Sequence, residues 1–192
     1  MGRPAGGGTS GYGTVFAVNT NGSGFTNLHS FTGSDGANPY AGLILSGNTL
    51  YGTAQQGGSS GAGAVFAINT DGTGFTNLHS FSALVSGTNS DGANPQARSI
   101  LSGNTLYGTA SAGGSSGNGT VFSLSFRPQL TIPRSGTNVI LSWPTNVAGF
   151  DYTGYTLQSA PALTGTFTNL PAATNPYTNP ITGPQQFYRL SQ

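Results

Sequence analysis

Two stretches of the chain bring a histidine, a serine and an aspartate close together: His29-Ser30 with Asp35, and His79-Ser80 with Asp91. These are the residue types of a nucleophilic triad, in which an imidazole takes the proton of a serine hydroxyl and a carboxylate orients the ring. The spacing argues against that chemistry. Neighbours on a strand point to opposite faces, so His29 cannot meet Ser30 as a triad requires. The expected role of each histidine is a repeated polar position between Phe25 and Phe31, satisfied by a neighbouring loop. Alternation would place Phe25, Asn27, His29 and Phe31 on one face of their strand, with Thr26, Leu28 and Ser30 on the other.

Other chemistry is thinner still. The chain contains no Glu, so paired carboxylates for glycoside hydrolysis would have to be Asp35 and Asp91. These two occupy equivalent places before a glycine, which is turn chemistry. The same Ser-Asp-Gly-Ala-Asn-Pro loops offer a calcium ion one carboxylate each, where about six to eight oxygens are wanted. The glycine clusters GGGTSGYG and GGSSGNG lack the following helix and the lysine of a phosphate loop. Tyr40, Tyr51 and Tyr107 could stack on sugars, although packing is the commoner use of such residues. No catalytic, cofactor-binding or metal-ligating residue is therefore expected. A binding surface on the repeats would involve His29, His79, Asp35, Asp91 and Tyr40.

The elements that position these residues follow from composition and repetition. Of 192 residues 32 are Gly, and 35% hydrophobic with 10% aromatic content is enough for a packed core. Lysine is absent as well as glutamate, so the surface of Thr, Ser and Asn reads as β. A net charge of +1 without a basic cluster gives no footprint for nucleic acid or anionic lipid. No apolar run is long enough to span a bilayer. Cysteine is absent, which excludes disulfides and thiolate metal sites but selects no compartment.

The decapeptide LSGNTLYGTA occurs at Leu45 and again at Leu101, and GFTNLHSF at Gly24 and Gly74, shifts of 56 and 50 residues. A six-residue insertion within SALVSGTNSDG accounts for the difference. A period near 50 matches a β-repeat that buries a face only against its neighbour. Within residues 43–81, LILSG, NTLYGTA, GAVFAINT and FTNLHSF read as four antiparallel strands, the first two joined at a Gly-Asn whose residues both accept positive φ. Four such strands make one propeller-like blade, and about two and a fraction blades are present, where closure takes at least about four. In register, Met1 lies over Tyr51, so the chain is expected to begin inside a strand, as a fragment truncated at its N-terminus.

The segments LYGTAQQGGSSGAGAVFAINTDGTGFTNLHSF and DGANPYAGLILSGNTLYGT resemble the choice-of-anchor GloVer tandem repeat, named for Gloeobacter and Verrucomicrobia, over residues 1 to about 126. The resemblance implies a secreted or surface-anchored bacterial protein with propeller-like β-repeats and no established activity. Its signal peptide would lie in the part lost by truncation. The chain departs from the pattern in having few repeats and no sorting tail after FYRLSQ.

After Phe126 the repeat vocabulary stops. About six short strands, with Trp143 as core anchor and Tyr188 on a late strand, suggest a small β-sandwich over 127–192. This segment resembles fibronectin type III-like modules of secreted verrucomicrobial proteins. The whole therefore reads as an all-β, non-catalytic recognition, adhesion or display protein. Its partner would be an extracellular glycan or protein, with no nucleic acid, no membrane insertion and no cofactor. Two other readings are a C-terminal fragment of an extracellular carbohydrate-active enzyme and a structural spacer. An enzyme should show a cleft with close ionisable groups, a recognition module an exposed aromatic patch, and a spacer neither.

Overall fold

The computed structural model describes residues 7–147, 149–170, 173–183 and 185–191. The expectation that the chain starts inside a strand concerns residues outside this set. Among the described residues there is no helix, and every strand pair is antiparallel. The chain divides into two compact units, Met1–Ser125 and Phe126–Gln192.

The first unit holds three open sheets, one per repeat. β1 (Thr14–Ala17) pairs with β2 (Thr26–Ser30). β3 (Ile44–Ser46), β4 (Thr49–Ala54), β5 (Ala64–Asn69) and β6 (Thr76–Ser80) form a four-stranded meander. β7 (Ile100–Ser102), β8 (Thr105–Ala110) and β9 (Thr120–Ser125) form a three-stranded one. The doubled decapeptide supplies the hairpins β3–β4 and β7–β8, each closed by a two-residue turn. Gly47 (φ 55°) and Gly103 (φ 56°) take the left-handed conformation there, whereas Asn48 and Asn104 do not. Positive φ at the first turn residue alone is the II′ pattern, which corrects the expectation of positive φ at both.

The recurring glycine inside the Leu-Tyr-Gly-Thr strands has a steric reason. Gly52 stands opposite Phe66 in the β4–β5 ladder, and a Cβ built on it would lie 2.5 Å from the ring. Gly108 stands in the same relation to Phe122, at 2.4 Å. Each phenylalanine lies flat across a strand that has no side chain at that point.

Stacking of one repeat on the next buries the core. Val15, Phe31, Ala54, Ala64, Phe66 and Ile68 form one buried cluster, with Leu28, Leu43, Leu50 and Phe75 packed against it. The turn of one repeat also docks on the next: Ala37 bridges Gln56, and Ala93 bridges Ala112.

The second unit contains β10 (Arg134–Ser135), β11 (Asn138–Leu141), β12 (Asn146–Val147), β13 (Phe150–Asp151), β14 (Thr156–Ala160), β15 (Thr168–Asn169), β16 (Tyr177–Pro180) and β17 (Phe187–Ser191). They make two three-stranded sheets, β10-β11-β16 and β15-β14-β17, and the ribbon β12-β13. Leu141, Trp143 and Leu157 are the buried centre of an apolar cluster that also takes in Val139, Tyr177, Tyr188 and Leu190. Residues of both three-stranded sheets thus share one core. Asn175 holds Trp143 in place by accepting its backbone N–H and donating to its carbonyl.

Candidate functional site

The residues singled out in each repeat converge on one arrangement. His29 Nε2 lies 3.0 Å from a carboxylate oxygen of Asp35, and His79 Nε2 lies 3.0 Å from Asp91. The second oxygen of Asp35 accepts the backbone N–H of Thr32 at 2.8 Å. Asp91 accepts both the N–H and the hydroxyl of Ser82. Each pair is a latch that ties the end of the repeat's last strand to the turn leading into the next repeat. Six residues separate the partners in the first latch and twelve in the second, and the geometry is the same.

The faces of these strands are not those that simple alternation predicts. In β1–β2 the register runs Val15 opposite His29 but Phe16 opposite Asn27, so Leu28 is the extra residue of a β-bulge. The bulge recurs between Val65 and Phe66. Directly opposed residues share a face, so the bulge moves a whole segment to the other side of the sheet. Val15, His29 and Phe31 lie on one face. Phe16, Phe25, Asn27 and Ser30 lie on the other, which corrects the expected grouping of Phe25 and Asn27 with His29. The Phe16 and Phe25 rings stack at 5.4 Å, and Asn27 donates to the Ser30 hydroxyl at 2.8 Å.

Ser30 and Ser80 therefore take no part in the latches. Ser80 accepts hydrogen bonds from Asn77 at 3.1 Å and from the backbone of Ser59 at 3.3 Å, on the face away from His79.

Between repeats, the Val/His/Phe face of one sheet receives the Phe/Phe face of the next. Phe75 lies parallel to the His29 ring, with centroids 3.6 Å apart, and edge-on to Phe31 at 5.9 Å. Phe31 meets Phe66 at 5.2 Å. The second interface repeats part of this, with Phe81 meeting Phe122 at 5.2 Å. The third sheet ends at β9, without a counterpart of β6, and among the described residues no ring takes over His79 the place that Phe75 takes over His29. Accordingly His29 is 19% exposed and His79 37%. A cavity of about 270 Å³ opens there, lined by His79, Phe81, Asp91, Thr120 and Phe122 among others. The cue in the sequence is the Gly-Phe-Thr-Asn-Leu-His-Ser-Phe stretch, which is present twice while Gly-x-Val-Phe is present three times.

Of the tyrosines, Tyr51 is wholly buried and offers no platform to a ligand, whereas Tyr40 and Tyr107 are exposed. Among the described residues no three His, Cys, Asp or Glu side chains come together as a metal site would need.

Burial pushes the Asp35 carboxyl upward, but hydrogen bonds from Thr32 and His29 outweigh it and hold the group below the usual carboxylate range. Asp91 is displaced the same way, burial being outweighed by Ser82, His79 and its own backbone. A carboxyl with a depressed folded-state pKa stabilises the fold above the ordinary value of about 3.9, and that contribution disappears as pH falls through the folded-state value. Melting temperature should therefore drop as the pH falls below about 4. In Asp35→Asn/Asp91→Asn this part of the acid sensitivity should be missing, as calorimetric scans across that range will show.

A family model described as the Gloeobacter/Verrucomicrobia repeat matches residues 2–176. The match runs past the end of the first unit into the second. No curated protein and no solved structure matches the chain.

Proposed function

Since the chain belongs to the Gloeobacter/Verrucomicrobia repeat family, we propose that it is a non-catalytic recognition and display protein of the cell surface or the extracellular medium. The observation that carries this reading is the use made of the ionisable groups. Each His–Asp pair is committed to a loop: the aspartate is occupied by backbone and hydroxyl donors, and His29 is stacked beneath Phe75. Such pairs hold a turn, and their carboxylates stay ionised at neutral pH.

The first unit is read as a propeller-like stack of blades, supported by the four-stranded antiparallel meander and the repeat-on-repeat packing. The second is read as a fibronectin type III-like sandwich, supported by the core its two three-stranded sheets share. Recognition, as distinct from a passive spacer role, is favoured by the aromatic rings that the first unit exposes away from Phe16 and Phe25 of its first repeat: Tyr40 is 47% and Tyr107 40% exposed.

Antibody labelling of intact producing cells tests the location. Label on unbroken cells or in the cleared medium, with the surface label removed by brief external protease, is the expected result. Label that appears only after lysis would refute the proposal.

A further inference from the structure

We propose that the cavity beside β9 is a strand-capture site: it takes an extended, uncharged segment of a partner polypeptide, which adds to the free edge of β9 and inserts an aromatic side chain against His79. This deepens the recognition reading by naming the partner's chemistry. It rests on that reading only for its biological purpose, since binding is measurable in solution whatever the chain's location.

The second repeat shows what belongs in this place. There β5 carries β6 on its outer edge, with Ala64 opposite Ser80, Val65 opposite His79, Phe66 opposite Asn77 and Ala67 opposite Thr76. The corresponding residues of β9 are Thr120, Val121, Phe122 and Ser123, and among the described residues no strand pairs with their outer edge. The consequence is visible in the side chains. Phe66, flanked by Phe75 just before β6, is fully buried, whereas its counterpart Phe122 is half-buried.

The pocket continues the interface already built between repeats. Its walls, His79, Phe81 and Phe122, reproduce His29, Phe31 and Phe66, and the missing member is the ring that Phe75 supplies to the first interface. Phe81 and Phe122 keep the edge-to-face packing, at 72° against 69° in the first interface, so the pocket is preformed. An added strand would satisfy the N–H and C=O groups along the β9 edge, as strand addition does in general, and the pocket would select an aromatic residue. Asp91 at the rim already accepts hydrogen bonds from Ser82 and His79, and it disfavours an acidic occupant.

The test uses the full chain and a capped, fluorescently labelled peptide with the sequence of Gly72–Phe81, followed by anisotropy, with light scattering to monitor the state of the protein. Saturable one-to-one binding is expected. Replacing the peptide's first phenylalanine by alanine should weaken it about tenfold. His79→Ala in the protein should weaken it comparably. His79→Phe breaks the latch but keeps the flat ring, so it should retain binding, which separates the pocket from a merely structural role of His79. No saturation at millimolar peptide, or affinity indifferent to the phenylalanine, overturns the proposal. Concentration-dependent dimerisation that competes with the peptide would identify a second copy as the occupant and overturns the partner assignment.

Discussion

Phe66→Ala should cost about 3–5 kcal/mol of folding free energy, at the upper end for a buried aromatic. The reason lies in what surrounds the ring. Phe66 is fully buried, meets Phe31 at 5.2 Å and Phe75 at 5.8 Å, and lies across Gly52. A neighbour with a side chain could lean into the space left by the ring, but Gly52 has none, so the cavity cannot collapse from that side. The damage also spreads across the interface, since Phe31 of the preceding repeat loses one of its two ring partners there. The topologically equivalent Phe16→Ala should cost less than about 1 kcal/mol, because that ring is half exposed. Urea denaturation followed by far-ultraviolet circular dichroism checks both. The one tryptophan, Trp143, lies in the second unit, so its fluorescence reports that unit separately.

Gly57→Ala carries the second large effect, about 3 kcal/mol or more, by adding strain instead of removing contacts. Gly57 adopts φ +74°, and a Cβ on it would lie 2.3 Å from the carbonyl oxygen of Gly33 and 2.8 Å from the backbone nitrogen of Ala37. Those atoms belong to the turn of the preceding repeat, which is pinned there by the Ala37–Gln56 bridge and by the N–H of Gly58 donating to Gly33. Left-handed backbone costs a non-glycine residue about 1–2 kcal/mol, and forcing two backbones apart adds about 1–3 kcal/mol. Gly61→Ala separates the two contributions. Gly61 has nearly the same φ, +76°, but nothing within 4 Å of the added methyl, so only the first cost should appear. Equal losses at Gly57 and Gly61 would mean that the close approach of the turn contributes nothing.

Much of the architecture is legible in the residues. The 50-residue period, the Gly-Asn hairpins and the near absence of charge lead to antiparallel β-repeats, because turn chemistry and β propensity are local properties. The faces are not legible in the same way. A strand's two sides are told apart by parity, and the bulge at Leu28 reverses parity halfway along without any glycine to announce it. Hence Phe25 reads as a neighbour of His29, when its counterpart Phe75 is the ring that stacks on His29 from the next repeat. Partners across repeats have no fixed sequence offset to betray them; the six-residue insertion alone moves the second set. The glycine of Leu-Tyr-Gly-Thr is visible as a repeated residue, but its purpose appears only once Phe66 is seen lying over it. In the second unit the ribbon Asn146–Val147 with Phe150–Asp151 escapes notice because two-residue strands have no periodicity to read.

The latch also uncouples the length of a loop from the geometry of its repeat. Its two ends are fixed at 3.0 Å whether six or twelve residues separate them, and the downstream bridges Ala37–Gln56 and Ala93–Ala112 form in either case. The additional residues fold back on themselves through a Val85–Thr88 bridge and leave the frame untouched. Closing a loop twice as long costs only about 0.6 kcal/mol. Insertions arriving between Ser82 and Asp91 are therefore nearly neutral for folding, and this is where copies of a duplicated repeat can acquire different surfaces while remaining interchangeable as building units.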